Sequence, residues 1–164
     1  MAEDNKILRL VYTLFLGVLL AVFVGVGTAT FYTSPKMPQY PIELNTGGKE
    51  LTPAQIETQN TFDRQMRTYD NAMKPYNRNT SIITLCAGVI FLVISLVFEH
   101  RIKLLADGVL LGGLFTLIYS IGRGFASQDT KYTFLTVTIG LIVVVFLGYH
   151  RFVKEKDIVG DVKK

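Results

Sequence analysis

The chain has no tryptophan, one cysteine and two histidines among 164 residues. A lone thiol, Cys86, closes no disulfide within the chain and supplies no cysteine metal set, so disulfide frameworks and cysteine-based redox sites are set aside. The sequence also lacks a phosphate-binding glycine loop, a His-Glu-x-x-His pair and a Ser/His/Asp set in motif context. It points to a non-enzymatic protein with no cofactor and no metal. Charge is missing over long stretches. Residues 10–32, 80–98 and 132–149 carry none, and residues 104–122 carry one, Asp107.

What is present fills those stretches with apolar residues. A bilayer core of roughly 30 Å takes about 20 residues of helix. In lipid every backbone group must be paired within its own segment, which makes each stretch a helix. A cleaved signal peptide fits the first stretch poorly, because the run exceeds a signal core of about 7–15 residues and acids precede it. The expected fold is an all-α membrane protein, a four-transmembrane-helix bundle with an extracytoplasmic amphipathic helix between spans 1 and 2. Its parts are helix 1 at 7–32, an outer loop at 33–79, helix 2 at 80–98, helix 3 at 104–123, helix 4 at 132–150 and a tail at 151–164.

Four spans put both termini on one side. The net charge of +4 then reads as topology and membrane contact rather than as nucleic-acid binding. That side holds nine cations and the other eight, so totals do not orient the chain, but density does. Arg101 and Lys103 sit in a five-residue connection, whereas the cations of 33–79 are diluted among acids. Positive residues near short loops stay inside, which places both termini in the cytoplasm. The absence of an organellar presequence points to a bacterial inner membrane.

The outer loop opens with Pro35, Pro38 and Pro41 at intervals of three, suited to an extended spacer. A turn is expected at 45–48. Thr52, Pro53 and Gln55 then form a helix start: a cap, a proline at the first position and a Thr-x-x-Gln box. Ile56, Phe62, Met66, Tyr69 and Met73 share a face of the helix expected over about 52–74, and are the candidate partner-binding residues. Pro75 is expected to end that helix or bend it into the second span.

Two rows of small residues repeat every fourth position: Thr13, Gly17, Ala21, Gly25 and Ala29 in the first span, and Gly108, Gly112, Thr116, Ser120 and Gly124 in the third. In lipid, close contact rather than apolar burial drives helices together, and small residues permit it. The rows predict close packing of spans 1 and 3, with Leu111 outside the contact. An i, i+4 row turns about 40° per step, so part of each row is left for another span or another copy. The rows align at an offset of 95 residues, and 98–103 resembles 149–154, which raises a parallel duplication.

Asp107 is the one acid inside a span. It is either an interfacial carboxylate near Lys103 or a possible ion or proton site. His100, Glu99 and His150 are metal-capable types whose spacing demands no metal. Arg123 is expected to reach the outer headgroups, and the basic tail to lie against anionic lipid. Among four-span families, claudins share the long first outer loop, but there is no tryptophan and no outer cysteine pair. A small multidrug exporter is expected to carry an acid in its first span, and none is there. Two functions follow: a scaffold, accessory subunit or self-associating protein partnered by lipid and membrane protein, or an oligomeric channel or transporter using Asp107.

Overall fold

The computed structural model describes residues 2–45, 50–99 and 101–152. They form four α-helices, α1 (Ala2–Phe31), α2 (Pro53–Phe98), α3 (Lys103–Ala126) and α4 (Thr130–Phe152), and one 3-10 turn at Ile42–Leu44. All four helices are long and apolar enough to cross a membrane. Most of the turn expected at 45–48, His100 and the tail beyond 152 lie outside the described residues.

At Pro75 the second helix takes one of the two expected courses and runs on into the second span. The helix near 52–74 and the span at 80–98 are one continuous helix of 46 residues with Pro75 inside it. Proline there removes one main-chain donor and crowds the carbonyl four residues back. The helix continues because the residues just after Pro75 are held by neighbours. Tyr76 and Asn77 are buried, and Asn77 Nδ2 donates to the Ala126 carbonyl at 3.1 Å. At its start the capping box is complete. Thr52 N donates to Gln55 Oε1 at 2.9 Å, and Gln55 N to Thr52 Oγ1 at 3.4 Å, behind Pro53.

The distribution of side chains is that of a protein solvated by hydrocarbon. Phe23 and Phe134 are more than 70% exposed, whereas Thr80, Ser81, Thr84, Ser95, Thr116 and Ser120 are at most 1% exposed. The interior is small and polar, as expected where packing and interhelical hydrogen bonds replace apolar burial as the adhesive. A narrow leucine core of Leu92, Leu117 and Leu147 supplements it.

The principal seam joins α2 to α3. It pairs Ser81, Gly88 and Ser95 with Ser120, Gly113 and Ala106, two antiparallel rows of small residues spaced by seven. Ser81 Oγ donates to the Ser120 carbonyl at 2.7 Å, and Ser120 Oγ to the Ser81 carbonyl at 2.8 Å. Ser95 Oγ donates to the Ala106 carbonyl at 2.9 Å. Between these stitches a Cβ on Gly113 would lie 3.1 Å from the Gly88 carbonyl oxygen, so the main chains nearly touch. A spacing of seven drifts only about 20° per repeat on a straight helix, which keeps one row on one partner along the whole seam.

Candidate functional site: helix notches and a charged cleft

α1 packs on the opposite flank of α3, running in the same direction. A Cβ on Gly17 would lie 3.0 Å from Leu111 Cβ and 3.2 Å from Gly112 N. A Cβ on Gly112 would lie 2.9 Å from Leu20 Cβ, and one on Gly108 would meet the Leu16 side chain. Leu111 therefore seats over the Gly17 notch, where the sequence places it outside the contact. Thr116 is buried and donates to the Gly112 carbonyl within its own helix at 2.7 Å.

The two i, i+4 rows do not meet along their length. Ser120 and Gly124 have turned away from α1: Ser120 bonds to Ser81, and Gly124 faces Ser81, Tyr132 and Thr133. On α1, Thr13 and Ala21 are half-buried and Ala29 is exposed. A Cβ on Gly25 would meet nothing within 4 Å. The 40° turn per step accounts for this: two or three members reach one partner, and the rest face elsewhere.

At the end of the bundle where the termini gather, three helices share one cation. Arg151 of α4 binds Asp107 Oδ1 through Nη2, and its Nε lies 3.2 Å from Glu99 Oε1. The Arg151 side chain is only 10% exposed. Arg151, not Lys103, is thus the partner of Asp107, a pairing that no local spacing signals because the residues are 44 positions apart. Glu99 is committed to this cluster as well. Among the described residues the buried His150 Nδ1 has no partner, and no group of histidine, cysteine and acid ligands is placed to hold a metal.

The cluster closes the mouth of a cleft. α1 and α4 both pack on α3, and their main chains stay more than 8 Å apart, Cα to Cα. Between them lies a cavity of about 530 Å³, walled by Leu10, Val144 and Leu147 and floored by Leu110, Leu111 and Leu114. Lys103, Asp107, Glu99 and Arg151 stand at its charged end, and Gly148 lines it with open space over its Cα.

At the opposite end the residues are aromatic. The Arg123 guanidinium lies 5.1 Å from the Tyr76 ring centroid and 5.9 Å from that of Tyr119. Tyr76 stacks on Tyr32, whose hydroxyl accepts from Asn79 Nδ2 at 2.9 Å. Arg123 is thus held by two tyrosine faces, a cation–π arrangement.

Beyond this end the first half of α2 carries the candidate partner-binding face. Ile56 is exposed, and Phe62, Met66, Tyr69 and Met73 are half-buried. Part of that face meets the chain's own proline-rich strap. Tyr40 packs edge-on against Phe62 with centroids 5.4 Å apart, and Gln55 Nε2 donates to the Glu43 carbonyl at 2.8 Å. Leu44 is buried beside them.

Comparison of the chain with protein-family models, with curated proteins and with solved structures gives no match.

Proposed function

We propose that the chain is a non-enzymatic multi-pass membrane protein that acts by association, as a scaffold or accessory subunit. The observation that carries this reading is the unbroken length of α2. Its 46 residues extend about 69 Å at 1.5 Å per residue, more than twice the roughly 30 Å of a hydrocarbon core. Only its second half is apolar enough to lie in lipid. The first half leaves the membrane as a rigid rod buttressed by the strap, with Glu57, Asp63, Arg64, Arg67 and Asp70 exposed.

On the charge-density argument both termini are cytoplasmic and the rod is extracytoplasmic, in a bacterial inner membrane. The open flank of α1 around Gly25 leaves room for a neighbouring membrane helix, either another protein's or a second copy's. Asp107 serves this reading as structure: a carboxylate tied to Arg151 is a poor free carrier of protons or cations, so the channel reading is not favoured.

Labelling tests the placement on which this function rests. In a Cys86→Ala background, a cysteine at Thr58 should react in intact cells with a membrane-impermeant maleimide, and a cysteine at Arg101 should react only after lysis. The reverse pattern, or equal labelling, removes the rod from the outer face and with it the proposed role.

A further inference from the structure

We propose that the cleft between α1 and α4 holds one tail of a zwitterionic phospholipid with a primary-ammonium headgroup, of the phosphoethanolamine type. The walls and floor are leucine and valine, and the main chains of the two flanking helices stay more than 8 Å apart, Cα to Cα. The cleft therefore opens sideways into hydrocarbon. Its volume of about 530 Å³ is several times the ~150 Å³ that accommodates a benzene ring, and a flexible acyl chain fills such a space without repacking the helices. Gly148 keeps it open: it lines the cleft, and a Cβ there would meet nothing within 4 Å.

The charged end selects the headgroup. Arg151 engages one oxygen of each carboxylate, Glu99 Oε1 and Asp107 Oδ1. One cation between two acids leaves the trio with a net charge of −1. Among the described residues no hydrogen bond goes to Glu99 Oε2 or Asp107 Oδ2. Lys103 stands on the same rim and pairs with no carboxylate among the described residues. A negative trio beside a positive lysine complements an ammonium beside a phosphate. The ammonium donates to the free carboxylate oxygens, and the phosphate faces Lys103. A quaternary choline has no hydrogen to donate, and a glycerol headgroup brings a phosphate without the cation.

The test uses the full chain in detergent micelles. Phospholipids with ethanolamine, choline and glycerol headgroups and identical tails are supplied in equal amounts, and native mass spectrometry counts the retained lipid. We expect one ethanolamine lipid per wild-type chain, favoured about fivefold over choline, the ratio for one modest charged contact. Glu99→Gln with Asp107→Asn should remove most of that preference, whereas Lys103→Gln should weaken retention of all three headgroups alike. Gly148→Leu should abolish retention by filling the cleft, while Gly122→Leu, which also meets open space but on α3 outside the cleft lining, should retain lipid like the wild type. If Gly148→Leu fails to fold, Val144→Phe fills the same cleft from an already exposed position. No retained lipid, equal retention of all three headgroups, a preference for choline or glycerol, or full retention by the cleft-filled variant each overturns the proposal.

Discussion

Ser81 and Ser120 exchange hydrogen bonds across the α2–α3 seam, each hydroxyl donating to the other residue's main-chain carbonyl at 2.7 and 2.8 Å. Both side chains are fully buried. Interhelical bonds of this kind in lipid average about 0.6 kcal/mol and reach about 1.7 kcal/mol. We expect Ser81→Ala and Ser120→Ala each to destabilise the solubilised protein by about that average, and the double variant to lose less than the sum. Denaturation in mixed micelles reads both quantities. Strict additivity would contradict the reciprocal pair.

The glycine notches separate by what each faces. Gly112→Leu places a side chain where Leu20 Cβ and the Gly17 carbonyl already stand, and overpacking of this kind costs about 1–3 kcal/mol. Gly25→Ala meets nothing and should be neutral or stabilising by up to about 1 kcal/mol through helix propensity. Leu111→Ala empties the Gly17 notch and should cost up to about 2 kcal/mol, because Leu111 is only half-buried. Thermal melts of the three variants decide the order.

How much of this was legible in the sequence depends on the period of each row. The four-residue row through Gly108 and Gly112 is conspicuous and marks the α1 contact, but it turns away from that partner after two or three members. The seven-residue rows, Ser81–Gly88–Ser95 and Ala106–Gly113–Ser120, were there to be read and make the longer seam. They do not stand out on their own, because three small residues at a spacing of seven recur by chance in spans this rich in them until an opposing row is known. The spans themselves were legible because apolar runs of 18 or more residues, broken by charge only once, at Asp107, have few other causes. Which of the two courses the helix takes at Pro75 was not, because it depends on contacts that Tyr76 and Asn77 make with residues far along the chain. The Arg151 cluster at the charged cleft is likewise a product of topology, assembled from the ends of three helices.

Arg151 holds two acids together at the polar boundary of the bundle. Arg151→Leu leaves Glu99 and Asp107 facing each other without their cation, and should cost about 1.5–3 kcal/mol, the range for hydrogen bonds to charged groups. Adding Glu99→Gln and Asp107→Asn should recover part of the loss, since neutral partners no longer repel. A triple variant less stable than Arg151→Leu alone would contradict the shared-cation arrangement.

Pro75 is the one break in the hydrogen-bond ladder that joins the rod to the membrane half of α2. Pro75→Ala restores a donor to the Asn71 carbonyl and relieves a helix-interior proline, whose cost is about 3 kcal/mol in an isolated helix. We expect slower amide exchange over residues 71–78 and a modest gain in stability. Unchanged exchange would mean the surrounding contacts already hold this junction as firmly as a continuous ladder does.

The most direct measurement of the proposed role is the mass of the native assembly, extracted from its own membrane in mild detergent with bound detergent and lipid accounted for. A protein that acts by association should run as a stoichiometric complex well above its own 18.4 kDa, and Arg64→Glu with Arg67→Glu on the rod should shift that mass downward. A wild-type chain that leaves its membrane as a lone 18.4 kDa species would contradict it.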